Sequence, residues 1–312
     1  MGWRRFNVHR RIFSMHAIFK FRFALALGGL CLASANAQPA LPDTKSIEIP
    51  MHIEGGMPVI EVQVNGQGPF LFGIDTGAQG SARIDSALVE KLGLKPSGEV
   101  RAGDPSMRNA QTVTTVKLDS LIVGGRRFSE VTAVSRNYQN SPRPMKVDGI
   151  LGLTLFADSL ITLDFPAKLV RIGPGELSKA DGSEILDYKS EGGVPLVEIS
   201  VGGKKINAHL DSGNTMGAFV LPASFVEKLA LSSEPVVVGR ARSASGEMEI
   251  KQARLKEAVH LGRHEFPEAI ITFPALSEIA NVGAKVLSDF AVTFDQRNQR
   301  VRLTRAKAGA VE

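Results

Sequence analysis

The chain has 312 residues, with 37 Lys and Arg, 32 Asp and Glu, and a single Cys. A hydrophobic fraction of 43% and a charged fraction of 22% are typical of a folded globular protein and exclude a disordered or collagen-like chain. One Cys excludes a disulfide framework and a zinc site built from several cysteines. The formal net charge of +5 would indicate a polyanionic partner only if the basic residues were spread over the folded part of the chain.

The basic excess comes from the N-terminus. Residues 1–37 hold six basic residues and no acidic one, and they end in an apolar run followed by the small-residue pattern Ala35-Asn36-Ala37. These are the parts of a secretory signal peptide. The apolar run, about 11 residues, is too short for a membrane-spanning helix, and the alternative is an uncleaved anchor. We therefore expect a mature chain that begins near Gln38 and is exported, to the periplasm or to the medium.

Two details of this segment stay open. The export route can be the general or the twin-arginine route, and translation can start at Met1 or at Met15.

Removal of the predicted signal peptide changes the charge balance of the chain. Without the six basic residues the chain has 31 basic and 32 acidic residues, so it is nearly neutral. We therefore predict no nucleic-acid partner, and no membrane association after cleavage of the signal.

An internal repeat covers the rest of the chain. Residues 54–66 and 191–203 are identical at seven of thirteen positions, with an offset of 137. Further matches follow in the same order with offsets between 131 and 137, as expected for a duplication with small loop insertions. Two copies are too few for a solenoid. The repeat therefore predicts two lobes, at residues 45–175 and 185–305.

The predicted elements have the same order in both copies, and alternation of apolar and polar residues identifies the strands. The first copy has predicted strands at Val59–Val64 and Phe70–Ile74, a helix at about Ser86–Leu92, a strand at Val116–Val123 and a hairpin over Leu160–Ile172. The second copy has strands at Leu196–Val201 and Ile206–Leu210, a helix at Ala223–Leu229, a strand at Lys251–Leu261 and a hairpin over Ala291–Leu303. This pattern favours an all-β fold of short antiparallel strands with one short helix in each lobe.

Each copy carries an acidic tripeptide directly after an apolar strand, Asp75-Thr76-Gly77 and Asp211-Ser212-Gly213. One such tripeptide is often a turn in which the Asp side chain caps its own backbone. Two tripeptides at equivalent positions instead favour a carboxylate pair, because pseudo-twofold packing brings equivalent loops face to face. Two close carboxylates share one proton, and such a pair can activate a water molecule without a metal, a cofactor or a covalent intermediate.

The other residues of the tripeptides fit this interpretation. Thr76 and Ser212 each place a hydroxyl beside the acid, where it can hydrogen-bond to the opposite loop. Gly77 and Gly213 permit a tight turn and a close approach of the two backbones. A duplicated structural turn is the alternative.

The first copy resembles a lobe of the retropepsin-like and pepsin-like aspartic proteases. The resemblance lies in Asp75-Thr76-Gly77-Ala78 after a strand, followed by a helix and by Asp148-Gly149-Ile150-Leu151-Gly152, and it extends over residues 45–305. It implies a bilobal, all-β acid-protease fold with two pseudo-twofold-related lobes, as in an exported bacterial aspartyl protease. It also implies a catalytic dyad of Asp75 and Asp211, supported by Thr76, Gly77, Ser212 and Gly213. The implied activity is peptide-bond hydrolysis by a water activated between the two aspartates.

The same resemblance implies an extended polypeptide substrate in the cleft between the lobes, no cofactor or metal, and a monomer that is an internal pseudo-dimer. Three features differ from the family pattern: Asn214 follows the second tripeptide, Asn281-Val282-Gly283 replaces the apolar-Gly element, and neither Tyr138 nor Tyr188 lies in a predicted flap. They leave open a catalytically inactive protein that binds peptides. A lobe that forms half of an intermolecular dimer is a third possibility.

Two polar stretches, Gly98–Thr114 and Gly239–Glu249, are the flap candidates, and their composition predicts mobile loops. The histidines give weaker signals. His260 and His264 flank a Gly262-Arg263 turn, which favours a surface turn over a metal site because no third ligand is evident. His209 lies two residues before Asp211, where a packed strand histidine is favoured over a residue that tunes the dyad.

Overall fold

The computed structural model describes residues 45–102, 110–138, 146–243, 246–275 and 278–305. The predicted signal peptide lies outside these ranges. Within them the chain is built mainly of β-strands in two sheets, as the sequence predicts. No helix in the described ranges is long and apolar enough to cross a lipid bilayer.

The strands of the two copies follow one another in matching order. The first copy contains β1 (Ile47–Pro50), β2 (His52–Glu54), β3 (Met57–Val64), β4 (Gln67–Ile74), β5 (Ala82–Asp85), β6 (Pro96–Ala102), β7 (Gln111–Val123), β8 (Arg126–Arg136), β9 (Gly149–Leu151), β10 (Leu160–Asp164) and β11 (Leu169–Gly173). The second copy contains β12 (Ile185–Glu191), β13 (Val194–Val201), β14 (Lys204–Asp211), β15 (Phe219–Val220), β16 (Val236–Ser243), β17 (Gly246–Arg254), β18 (Val259–Leu261), β19 (His264–Phe266), β20 (Ile270–Pro274), β21 (Ala280–Gly283), β22 (Phe290–Asp295) and β23 (Arg300–Arg305).

Short helical segments occur at both predicted positions. Helix α1 (Ser86–Lys91) begins after Asp85, whose carboxylate caps it by accepting the amide N–H of Ala87 at 2.8 Å. The second predicted helix is instead a 3-10 helix, Ala223–Lys228. The expectation of one helix per lobe is wrong, because each copy has a second helical turn that the strand pattern hid. These additional turns are a 3-10 helix at Leu153–Phe156 and α2 at Ala284–Leu287.

The two lobes have the same strand order. The first lobe has the order β2-β3-β4-β9-β5-β8-β7-β6, and the second has β12-β13-β14-β21-β15-β20-β17-β16. Most pairs are antiparallel, as predicted, but β4 with β9, β5 with β8, β14 with β21 and β15 with β20 are parallel. Alternation identifies a strand but not its partner, so the sequence pattern did not reveal these parallel pairs.

Six strands in the order β1-β11-β10-β22-β23-β12, three from each copy, join the lobes, and they are continuous through β12 with the strands of the second lobe in one 15-stranded sheet. At the centre of these six strands β10 pairs antiparallel with β22, and Thr162 lies opposite Thr293. Their side-chain oxygens are 2.8 Å apart. The repeat aligns these two threonines with each other, so a residue of the first copy faces its own counterpart. This arrangement requires a pseudo-twofold axis between β10 and β22.

Two predicted elements differ from the structure. The predicted strand Lys251–Leu261 is broken, since β17 ends at Arg254 and β18 begins at Val259. Between them the amide of Leu255 still donates to the carbonyl of Ala269 at 2.9 Å, in the register of the β17–β20 pair, whereas the amide of Lys256 donates to the carbonyl of Ala230 at 2.9 Å.

The flap candidates are also different from the predicted loops. Most of their described residues form the arms of two hairpins, β6 with β7 and β16 with β17. Residues 103–109 and 244–245, which connect these arms in the sequence, lie outside the described ranges. These arms are poor in apolar residues, which is why their composition resembled loops rather than half-buried strands.

Candidate active site

The two aspartates lie at the ends of equivalent buried strands. Asp75 directly follows β4 and Asp211 ends β14. The residues before them, Ile74 and Leu210, are fully buried. On the first side the amide of Asp75 also donates to the carbonyl of Leu151 at 3.0 Å, so strand β9 holds the start of the acidic loop. Rigid strands therefore fix where both loops begin.

The hydroxyls of Thr76 and Ser212 connect the two loops reciprocally. Thr76 Oγ1 donates to the carbonyl of Leu210 at 2.6 Å and accepts the amide N–H of Ser212 at 2.9 Å. Ser212 Oγ donates to the carbonyl of Ile74 at 2.7 Å and accepts the amide N–H of Thr76 at 3.0 Å. Both side chains are fully buried, so these four bonds are shielded from competing water.

Gly77 and Gly213 bring each loop against the opposite carboxyl group. A Cβ atom at Gly77 would overlap the carboxyl group of Asp211, and one at Gly213 would overlap that of Asp75. Both contacts join one copy to the other, so each acidic loop lies against the carboxyl group of the opposite loop as well as its hydroxyl. Only glycine fits at either position without displacing an aspartate.

The two carboxyl groups have different hydrogen-bond partners. Asp75 Oδ1 accepts the amide N–H of Gly77 at 2.9 Å. Asp211 Oδ1 accepts two amide N–H groups, from Gly213 at 2.9 Å and from Asn214 at 3.0 Å. Its Oδ2 accepts the side-chain amide of Asn281 at 2.7 Å. Three N–H donors therefore point at Asp211, which suits an acceptor-only carboxylate.

The environment of Asp75 favours its protonated form. Burial raises the pKa of Asp75 to about 7, and the charge of Asp211 and a hydrogen bond between the two carboxyl groups act in the same direction. The positive charge of Arg83 and the N–H of Gly77 oppose this shift. At mildly acidic pH the pair therefore holds a proton on Asp75, beside the carboxylate oxygens of Asp211 that accept protein N–H groups.

The residues that depart from the family pattern belong to this site. Asn214 stabilises the turn after Asp211, because its side-chain oxygen accepts the amide N–H of Met216 at 2.9 Å. Asn281 lies opposite His209 in the β14–β21 pair, and the equivalent pair in β4–β9 is Gly73 with Ile150. From the sequence alone, Asn281 is interpreted only as a loss of the apolar pattern. The signal that could have identified it as a donor to Asp211 is a polar residue at a position that is apolar in the first copy.

A cavity of about 600 Å³ lies beside Asp211 of the dyad. It is lined by Gly77 and Asp211, by the arginines Arg83 and Arg136, and by further residues of both copies. Sequence reasoning missed these arginines, which are 53 residues apart and meet only because β5 and β8 are paired.

Tyr138 also contributes to the surroundings of the dyad. It packs against the apolar cluster that contains Ala78 and Ile150. Burial raises the pKa of its hydroxyl, and the positive charge of Arg83 opposes this shift. Its hydroxyl is buried and has no hydrogen-bond partner among the described residues. It follows β8 and lies in neither of the hairpins that were flap candidates.

The three histidines considered in the sequence analysis lie in two different parts of the structure. His209 lines the cavity and is 6% exposed, and burial lowers its pKa against the opposing charges of Asp211 and Glu191. Its Nε2 has no partner within the described part of the chain. His260 and His264 lie on β18 and β19 across the predicted turn, and Nε2 of the buried His264 is 3.2 Å from the carbonyl oxygen of Leu303.

Comparison with known families agrees with this geometry. A family model described as Aspartyl protease matches residues 60–155 and 197–279, one segment in each copy of the repeat and together more than half of the chain. The chain belongs to the aspartyl protease family, and its fold is the bilobal acid-protease fold. A search of curated proteins found no match.

Proposed function

We propose that the protein is an aspartic endopeptidase that hydrolyses peptide bonds with a water molecule activated between Asp75 and Asp211. The observation that carries this proposal is the reciprocal contact of the two acidic loops through Thr76 and Ser212. It holds two carboxyl groups together although their repulsion in the ionised state favours separation. A pair of structural turns would gain nothing from that arrangement.

The partners of the two carboxyl groups suggest their roles. Asp211, with three N–H donors, acts as the base that takes a proton from the water. The water oxygen then attacks the peptide carbonyl carbon, and Asp75 donates its proton to the carbonyl oxygen. Asp211 next gives its proton to the leaving nitrogen, the C–N bond breaks, and one hydroxyl of the tetrahedral intermediate returns its proton to Asp75 as the product carboxyl group forms. The dyad is restored without a covalent intermediate.

The substrate in this proposal is a polypeptide in extended conformation, lying along the cavity beside Asp211. The chain acts as a monomer, because one molecule supplies both aspartates. In this proposal the two lobes are residues 45–175 and 185–305, and the protein is exported. Recovery of the mature protein outside the cytoplasm with Gln38 at its N-terminus would support export, and a retained residue 1 would contradict it.

The test is hydrolysis of a peptide mixture by the mature protein between about pH 3 and 7. Asp75→Asn and Asp211→Asn are each expected to lower kcat/KM by about 10² to 10⁴. Asp119→Asn is the matched control, because Asp119 is an exposed aspartate on β7. Equal cleavage by the wild type and either dyad variant would contradict the assignment.

The second candidate function, a peptide-binding protein without catalysis, is motivated by Asn214 and Asn281. Both donate N–H groups to Asp211, so neither position by itself separates the two functions. A statine-type transition-state mimic does, because it gains affinity only where the dyad is organised for catalysis. Tight binding that Asp211→Asn abolishes would exclude the inactive protein. Binding that is weak and insensitive to this substitution would favour it.

A further inference from the structure

The cavity beside the dyad has a positively charged wall. Arg83 on β5, Arg101 on β6 and Arg136 at the end of β8 all line it, together with Asp211 from the other copy. Arg83 and Arg136 are half-buried. Three guanidinium groups therefore border the space that the proposed substrate occupies.

Strand pairing explains why two of these arginines share one wall. Strands β5 and β8 are parallel, with Arg83 opposite Val134 and Asp85 opposite Arg136. Side chains alternate between the two faces of a strand, so Arg83 and Arg136 point to the same side of the sheet. Both are fixed at their Cα atoms by a regular ladder rather than by a loop, which limits how far they can separate.

Neither of these two arginines forms an ion pair within the described ranges, and Asp75, whose pKa the charge of Arg83 lowers, still has a pKa of about 7 and is protonated at mildly acidic pH. Among the described residues, no Asp or Glu forms an ion pair with Arg83 or Arg136, whereas Arg263, for example, pairs with Glu184. Asp85, opposite Arg136 in the register, is buried and already accepts the amide N–H groups of Ala87 and Tyr138 at 2.8 and 2.9 Å.

The two cations also repel each other. Burial lowers the pKa of Arg136, and the nearby charge of Arg83 lowers it further. Two half-buried positive charges without an ion-pair partner are costly, and an anion between them would relieve both the repulsion and the loss of hydration. The electrostatics of this wall therefore favour binding of an anion.

We propose that Arg83 and Arg136 form a subsite that binds a carboxylate of the peptide substrate next to the scissile bond. This inference rests on the proposed function, because Asp211 and the arginines line the same cavity. A guanidinium presents a planar fork of N–H donors that matches a carboxylate in bidentate geometry. The carboxylate can come from an acidic side chain or from the C-terminus of the peptide.

The experiment compares peptides that differ in one carboxylate. One set has Glu or Gln at each position flanking the scissile bond, and a second set has a free or an amidated C-terminus close to that bond. The wild type is expected to prefer the carboxylate in one set by about 10- to 100-fold in kcat/KM, as expected for charge-assisted hydrogen bonds. The set in which the preference appears identifies the source of the carboxylate.

Variants assign the preference to the arginines. Arg136→Gln is expected to reduce it to about twofold or less while neutral peptides are still cleaved. Arg136→Lys keeps the charge but loses the fork, so it should retain only part of the preference. Arg127→Gln, at an exposed arginine of the same strand, is the matched control and should keep the full preference. Thermal melting of each variant verifies that it is folded.

Two outcomes overturn the subsite while leaving the peptidase intact: a wild type that cleaves acidic and neutral peptides equally, or a preference that survives Arg136→Gln. If no peptide is cleaved, the proposed function fails and the subsite is decided by binding. The probe is then a peptide whose scissile amide is reduced, with Glu or Gln beside it. Equal affinities of the wild type for the two forms would overturn the subsite, and an affinity difference that Arg136→Gln removes would support it.

Discussion

Asn281 donates a hydrogen bond from its side-chain amide to Oδ2 of Asp211 at 2.7 Å. The counterpart of Asn281 in the first copy is Ile150, which has no donor to offer Asp75. The backbones around the two aspartates are therefore related by symmetry, but the side chains that can donate hydrogen bonds to them differ. This difference gives the proposed base and the proposed acid separate environments, as an acid–base pair requires.

Replacement of Asn281 by Leu should therefore lower kcat about tenfold with little change in KM, because the lost bond acts on the proposed base and not on the peptide. Steady-state kinetics on one neutral peptide measure both constants. Ile150→Leu, a volume-conserving change at the equivalent position, is the control and should keep kcat near that of the wild type. An unchanged kcat in Asn281→Leu would mean that the amide has no part in the chemistry.

The hydroxyl contacts between the loops predict a stability effect. Thr76→Val keeps the side-chain shape but leaves the carbonyl of Leu210 and the amide of Ser212 without their partner. We expect a loss of about 1–3 kcal/mol in the free energy of unfolding, as for a buried unsatisfied group. Urea denaturation measures it. Thr76→Ser, which keeps the hydroxyl, should lose less, and equal losses in both variants would argue that packing, not hydrogen bonding, dominates.

The raised pKa of Asp75 predicts a pH-dependent stability. The native state holds a proton on Asp75 up to about pH 7, whereas the ordinary value for an unfolded Asp is 3.8. Between these values the native state binds more protons than the unfolded state, so the free energy of unfolding falls as pH rises. The slope is at most about 1.4 kcal/mol per pH unit for one group. Asn resembles the protonated form of Asp75, so the stabilities of wild type and Asp75→Asn should be similar near pH 4 and diverge toward pH 7, where the wild type loses stability. Parallel pH dependences of the two proteins would contradict the raised pKa.

Arg83 should influence the alkaline limb of the pH–rate profile. Activity requires a protonated Asp75, so it should fall as pH rises through about 7. The charge of Arg83 lowers the pKa of Asp75, and its removal in Arg83→Gln should move this limb to higher pH. A neutral peptide keeps any carboxylate binding out of the measurement. Arg127→Gln should leave the limb in place, and a downward shift in Arg83→Gln would contradict the sign of this interaction.

Replacement of Tyr138 by Phe should raise the free energy of unfolding. Its buried hydroxyl has no partner among the described residues, so Tyr138→Phe removes an unsatisfied polar group. We expect about 1 kcal/mol more stability and retained peptidase activity. Tyr188→Phe is the control, since that tyrosine is also buried but its hydroxyl is not one of the buried groups without a hydrogen-bond partner. A large loss of activity in Tyr138→Phe would instead assign the hydroxyl to the reaction.

The dyad was the part of the site that the sequence could predict. Two equivalent loops related by a pseudo-twofold axis meet near that axis, whatever the length of the connections elsewhere. The repeat and the tripeptides that contain Asp75 and Asp211 were therefore sufficient to predict the pair. The same symmetry led to the hydroxyls of Thr76 and Ser212, which are buried between the loops.

The surroundings of the dyad could not be predicted in this way. Arg83 and Arg136 meet through a parallel strand pair, and local alternation carries no information about which distant strand is the partner. Asn281 lies 70 residues from Asp211, and the sequence shows only that it departs from the apolar pattern of the first copy, not that it donates to Asp211. The symmetry of the repeat predicts features that the two copies share, so residues that differ between the copies could not be predicted from it.

The contact between Thr162 and Thr293 has a consequence for how the molecule resists association. Without the second copy, β10 would have β11 on one side and an open edge on the other, and β22 would be exposed in the same way. Open strand edges recruit other chains. Each copy therefore shields the edge of the other, and because the two edges are self-complementary, an isolated half would cover its edge by pairing with a second identical half.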